Sequence, residues 1–239
     1  MEEKEVEDTY HSISEKEYYK LSKEEYSKLE PVERNQLKLD MWWTRKKSNT
    51  TLGRDYERFV GYIYEKAGYA ICYHGIEKGK QDEGIDLICD NNKEILLVQC
   101  KYWKNGGNPI RENAVNQLFG TGIKYKLDRK NKLGYTLFNP DIQKPISMIL
   151  VTSNVLSDVA KEFANTLGVK YYENCPLKRY PIIKCNVSSS GEKIYHLPFD
   201  QMYDKTQIKN IGEFYAMTVK EAEDKVFRRA YRWSGNTIK

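Results

Sequence analysis

Histidine is scarce in this 239-residue chain, which holds only His11, His74 and His196. Three imidazoles so far apart offer little to a histidine-built metal site or a histidine general base. Cysteines number five, an odd count without framework spacing. Cys72, Cys89 and Cys100 stand among apolar neighbours as small core residues do, so no disulfide scaffold is expected. Cys175, Cys185 and His196 are the one grouping with a hint of zinc, but no Cys-x-x-Cys pair and no clear fourth ligand accompany them. No apolar run approaches bilayer length, and the opening Met1-Glu2-Glu3-Lys4-Glu5 is too acidic and polar for a secretory signal. These absences predict a soluble, cytoplasmic protein with reduced thiols and no membrane partner.

What is present is a chain with 40% hydrophobic residues, enough to bury one good core and a small appendage. Its formal charge of +5 is unevenly spread: residues 1–40 hold seven Lys or Arg against twelve Asp or Glu, which leaves +10 on the rest. A basic body favours a polyanion through counterion release, although basic surfaces also serve solubility alone.

Two aliphatic runs carry polar residues that an inert core would not want. Gly84-Ile85-Asp86-Leu87-Ile88-Cys89 and Leu96-Leu97-Val98-Gln99-Cys100-Lys101-Tyr102 read as short buried strands, and the turn signal Asp90-Asn91-Asn92-Lys93 between them predicts a hairpin. Strand alternation puts Leu97, Gln99 and Lys101 on one face and Leu96, Val98, Cys100 and Tyr102 on the other. A lysine two residues from a glutamine, beside an aspartate, costs desolvation unless each group is paired or bound. Asp86 supplies a hard anionic oxygen, Gln99 a neutral carbonyl oxygen and Lys101 an ammonium, the set that metal-assisted phosphodiester hydrolysis requires. The plainer reading makes Asp86 a strand-end residue and Lys101 an edge lysine with its stem packed and its head in water. Spacing alone leaves both readings open.

The segment Glu83-Gly84-Ile85-Asp86-Leu87-Ile88, followed by Leu97-Val98-Gln99-Cys100-Lys101-Tyr102-Trp103, resembles the Mrr-type branch of the PD-(D/E)xK restriction-endonuclease superfamily, in which glutamine replaces the first acid of the second half-motif. Gly53-Arg54-Asp55-Tyr56-Glu57-Arg58-Phe59-Val60 resembles the opening helix of that family. Ala114-Val115-Asn116-Gln117-Leu118-Phe119-Gly120 resembles its helix after the motif strand. Ile149 to Asn154 and Ala160 to Ala164 resemble its later strand and helix, so the likeness spans about residues 53–174.

The resemblance implies a metal-dependent DNA endonuclease of a restriction or defence system, with Mg²⁺ as cofactor and Mn²⁺ as a substitute. By the same resemblance Asp86 is the main metal ligand, Gln99 an orienting or metal-contacting residue and Lys101 the water-activating group. Glu57 is a second carboxylate for the metal, and the Cys100 backbone carbonyl a further ligand. Arg54 and Arg58 flank Glu57 and could instead pair with it as solvated charges. Asp82 fits an acid the family often has before the strand, and Gln117 either faces DNA or serves packing. Because Gln99 removes one negative charge, affinity for Mg²⁺ leans on Asp86, Glu57, a carbonyl and the substrate phosphate. One such site cuts one strand, so a double-strand break needs a second site, as in a homodimer, or a second event. The alternatives are a structure-selective repair or resolvase nuclease on the same core, and a DNA-binding module with a decayed site. The joint presence of Asp86, Gln99, Lys101 and Glu57 argues against decay.

Along the chain, residues 1–48 read as a helical arm that Pro31 divides in two. Residues 49–175 read as the nuclease core and 176–239 as a small separate module. In the arm, Trp42 and Trp43 either pack on the core or stack on a base. The core order is a helix over 52–67, a strand over 69–73, the motif hairpin, a helix over 113–126, a basic turn-rich insertion over 127–145 and a strand over 146–152. A helix from Ser157 to Leu167 and a strand over 169–173 complete it. The fold class predicted is α/β, a restriction-endonuclease-like central mixed sheet flanked by helices, with the helical arm and a β-rich tail. Asn186 to Pro198, Tyr203 to Thr206 and Phe227 to Ala230 resemble the "sunset" module appended to various nucleases, and a helix is expected over 219–228. His196 there lacks a second histidine or an acid beside it and reads as structural or ligand-contacting.

Overall fold

The computed structural model describes residues 22–78, 83–103, 107–133 and 144–230. Two helices open it, α1 (Lys23–Lys28) and α2 (Pro31–Thr44), split where proline begins the second. Helix α3 (Asn49–Lys66) is capped by Ser48, whose side chain accepts the Thr51 N–H, and it buries Tyr56, Phe59 and Val60 at helical spacing. Strand β1 (Ala70–Cys72) leads into a single helical turn, α4 (His74–Lys78).

The predicted hairpin is present as β2 (Leu87–Asp90) and β3 (Ile95–Lys101), paired antiparallel with Leu87 opposite Val98. Its turn is shaped by Asn91, whose side-chain oxygen accepts the Lys93 and Glu94 N–H groups at 2.8 Å. Two crossovers follow: α5 (Glu112–Leu133) to β4 (Ile146–Thr152), then α6 (Asp158–Leu167) to β5 (Lys170–Tyr172). The strands lie in the order β1-β2-β3-β4-β5, with β3, β4 and β5 mutually parallel. Helix α6 begins on Ser157, which accepts the Ala160 N–H, and ends on Gly168 at φ 68, a left-handed turn that glycine adopts without steric cost.

Alternation along β3 fixes what each face meets. Leu96 and Val98 join Tyr56, Phe59 and Val60 of α3 in one apolar cluster. Ile95 and Leu97 join Val115 and Leu118 of α5 and Ala160 and Ala164 of α6 in the other. The first cluster continues without interruption into a second sheet of β6 (Ile183–Val187), β7 (Lys193–His196), β8 (Phe214–Ala216) and β9 (Arg228–Arg229), in the order β8-β6-β7-β9. Tyr180, Ile182, Tyr195 and Tyr203 belong to it together with Trp42.

Polar ties cross the same seam. The Arg58 guanidinium donates twice to Asp204 at 2.7 Å and once to Asp55 at 3.4 Å, and Lys47 reaches Asp55 at 2.7 Å. Burial alone would lower the Arg58 pKa, but the hydrogen bonds and charge of Asp204 outweigh it and hold it above its usual value. Lys184 is buried with its ammonium 4.9 Å from the Tyr73 ring and bonded to the Thr206 carbonyl, and burial pushes its pKa down to about 8. Tyr56 donates to the Cys175 carbonyl and Gln207 to that of Ile71. Helix α2 joins the far side: Asn35 donates to the Tyr195 hydroxyl and Gln36 accepts the Val219 N–H.

Two helix bounds differ from expectation, and two open readings gain detail. Helix α5 continues to Leu133, so the insertion begins later than residue 127. The C-terminal helix, α7 (Val219–Asp224), stops at a Lys225 cap instead of running to 228, because Val226 takes φ 65 and Arg228–Arg229 pair with β7. Of the two readings of the tryptophans, packing holds: Trp42 is 4% exposed and Trp43 lies edge-on to Tyr180. His196 is buried on β7, and burial first, then the charges of Arg229 and Lys184, lower its pKa to about 4, so it is a neutral imidazole at neutral pH. No helix among the described residues is long and apolar enough to cross a membrane.

Candidate active site

The site lies where β2 and β3 part company, at the carboxyl end of β3. Asp86 precedes β2 by one residue; its N–H still bonds the Val98 carbonyl, but its side chain turns to the neighbouring strand. There Oδ2 accepts the Cys100 N–H at 2.6 Å, so the carboxylate docks on the peptide between Gln99 and Lys101. The Cys100 carbonyl is one peptide further on, next to Lys101.

Glu57 arrives from the other side, on α3. Its Oε2 and Asp86 Oδ1 converge on a single point, 3.1 and 3.0 Å respectively from where a Cβ on Gly75 would sit. Gly75 is in α4, and its N–H bonds the Asp86 carbonyl at 2.8 Å. Burial pushes the Cys100 thiol well up, and the negative charges of Asp86 and Glu57 add to that shift while Lys101 opposes it, which again places both carboxylates by the same peptide. Of the two flanking arginines the sequence offers to Glu57, Arg58 is instead bonded to Asp55 and Asp204.

Gln99 is 0% exposed, and its Nε2 donates to Gln117 Oε1 on α5 at 3.4 Å. Its own Oε1 is buried and accepts no hydrogen bond among the described residues. A buried carbonyl oxygen in that state lacks compensation for its lost hydration, which a cation would supply. Lys101 is half-buried and has no carboxylate partner among the described residues. Asp82 lies outside the described residues.

One face of α5 braces the loop ahead of Asp86. Besides Gln117, Thr121 donates to the Glu83 carbonyl at 2.6 Å, and Lys124 bonds the Glu83 carboxylate at 2.5 and 2.7 Å. Glu83 and Gly84 both take positive φ, 55 and 90, and a Cβ on Gly84 would lie 2.8 Å from Gln99 Nε2. A non-glycine residue held at positive φ marks a loop that its surroundings over-determine. Residues 117, 121 and 124 share one helix face by spacing, a periodicity visible in the sequence, but their target in the loop is not. Nothing local in the sequence marks Gly75, which stands inside the short helix after β1.

Residues 49–131 match a family model of the Mrr catalytic type described as a restriction endonuclease. Those residues form an Mrr-like restriction-endonuclease domain. The match takes in Glu57, Asp86, Gln99, Lys101 and Gln117, and the mixed sheet with flanking helices is the restriction-endonuclease-like architecture expected of it. It ends at residue 131, short of β4 and of the C-terminal sheet. No curated protein and no solved structure matches the chain. The match supports a DNA nuclease of restriction-endonuclease type within these residues.

The donor set fits a hard divalent cation. No group of three or more His, Cys, Asp or Glu side chains with metal-binding spacing occurs among the described residues. Asp86, Glu57, the Gln99 amide oxygen and the Cys100 carbonyl are oxygen donors with only two carboxylates, and Mg²⁺ keeps several waters and accepts such sparse sets. Gly75→Ala tests the convergence. A methyl group at the point shared by the two carboxylates, which also presses on the Asp86 Cα 3.2 Å away, should lower Mg²⁺-supported cleavage at least about tenfold, with thermal unfolding measured alongside to separate lost chemistry from lost fold. Unchanged cleavage at limiting Mg²⁺ would mean that the carboxylates do not share a cation.

Proposed function

We propose that the protein is a Mg²⁺-dependent DNA endonuclease acting in restriction of foreign DNA. One observation carries the reading: Asp86 Oδ1 and Glu57 Oε2 both lie about 3 Å from where a Cβ on Gly75 would sit, within the Mrr-like domain that also holds the buried Gln99 amide oxygen. Asp86, Glu57, Gln99 and the Cys100 carbonyl would hold the cation, which when bound polarises a phosphate and lowers the pKa of coordinated water. Asp86 is itself fixed by the Cys100 N–H, so its second oxygen keeps one orientation. Gln117 holds the Gln99 amide by its nitrogen, which leaves the carbonyl end for the site. Lys101, two residues along the same strand, would as an ammonium donate to and position the attacking water, and its charge would offset that building on the phosphate as the water's proton passes to solvent. With one carboxylate fewer than the commoner pattern, affinity for the cation rises when a DNA phosphate adds its oxygens.

The test is a plasmid assay on methylated and unmethylated DNA with Mg²⁺, Mn²⁺ or EDTA. Cleavage in either metal and none in EDTA is expected. Salt-sensitive binding without cleavage of any DNA form would instead favour a DNA-binding module.

A further inference from the structure

The geometry points to Trp103 as a platform on which an unpaired base of the bound DNA stacks, so that the nuclease prefers DNA with a base outside the helical stack near the scissile phosphate. This rests on the nuclease reading for where the DNA lies.

Trp103 follows Lys101, the last residue of β3, by two positions. Two residues of extended chain span about 7 Å, or about two base steps of a DNA strand. The backbone there is held tightly. The Ser153 N–H bonds the Lys101 carbonyl at 3.1 Å, the Trp103 N–H donates to Ser153 Oγ at 2.8 Å, and that hydroxyl donates to the Trp103 carbonyl at 3.0 Å. Asn154, next along, donates to the carbonyls of Gly107 and Asn108. Yet the indole is 46% exposed, whereas Trp42 and Trp43 are spent on the core.

A hydrogen-bonded backbone bearing an exposed indole is a poor use of a tryptophan for stability and a good one for stacking, because part of the ordering cost is already met in the free protein. The ligand is a nucleobase because the indole comes two residues after Lys101, in a chain that carries +10 beyond residue 40. Within an intact duplex both faces of every base are covered by neighbours. Only single-stranded, mismatched or branched DNA, or a base extruded during binding, offers a free face.

Tryptophan emission and affinity are measured with the full chain in EDTA, so that DNA binds without being cut. The ligands are a single-stranded oligonucleotide, an uninterrupted duplex and a duplex with a central mismatched bubble. The single strand and the bubble should quench emission. Trp103→Ala should lose that quenching and bind those two ligands about tenfold more weakly with duplex affinity unchanged, and Trp103→Phe should keep most of the preference. Equal affinities of wild type and Trp103→Ala for all three, or no binding of any, would overturn the proposal. The two readings fail separately: Trp103-dependent discrimination without metal-dependent cleavage removes only the nuclease assignment, and cleavage without it removes only the stacking role.

Discussion

Asp86→Asn is expected to abolish Mg²⁺-dependent cleavage, by about 10³-fold or more, while the protein stays folded. The asparagine oxygen can still accept the Cys100 N–H that Asp86 now holds at 2.6 Å, so the strand junction keeps its geometry and loses only the charge. Asp86→Ala should be as inactive but also less stable, by about 1–3 kcal/mol, since it leaves that N–H without its acceptor. Lys101→Ala should be equally silent with an unaltered melting temperature, because the half-buried amine takes part in no ion pair among the described residues. Cleavage surviving in both Asp86→Asn and Lys101→Ala would remove these residues from the reaction. Circular dichroism and thermal unfolding alongside the plasmid assay separate lost chemistry from lost fold.

The second large effect is on stability. Arg58→Ala should cost about 3–5 kcal/mol, because it leaves the Asp55 and Asp204 carboxylates without the guanidinium that joins them across the seam. In a domain of this size that corresponds to a fall in melting temperature of roughly 10 °C. Asp204→Ala should be severe for the same reason, and the double variant should be much less destabilised than the sum of the two, since either change already breaks the pair. A melting temperature unmoved by Arg58→Ala would show that the pair holds nothing together.

The core of the fold follows from local patterns. Two aliphatic runs around Asp90-Asn91-Asn92-Lys93 give the hairpin, Ser157 and Gly168 bracket α6, and Pro31 divides α1 from α2. Each is a signal written within a few residues. The alternation that puts Gln99 and Lys101 on one face also holds, since Leu97 meets α5 and α6 while Leu96 and Val98 meet α3. What could not be read is decided by chain distant in sequence. Arg58 has carboxylates at hand on its own helix, yet its strongest partner is 146 residues away. Gln99 finds Gln117 eighteen residues on, and Gly75 matters only because Asp86 and Glu57 arrive from different elements. Strand β9 has two residues and no hydrophobic signature, so the approach to it looked helical.

Glu57 and Arg58 are consecutive on α3, pointing about 100° apart around its axis. One faces Asp86 and the other grips Asp204, so a single rotational setting of this rod serves both. A residue inserted ahead of them within the helix would swing the carboxylate away from Asp86 as it tore the guanidinium from its socket. The two losses would come together, which makes α3 the axle on which the candidate site and the C-terminal sheet are jointly aligned.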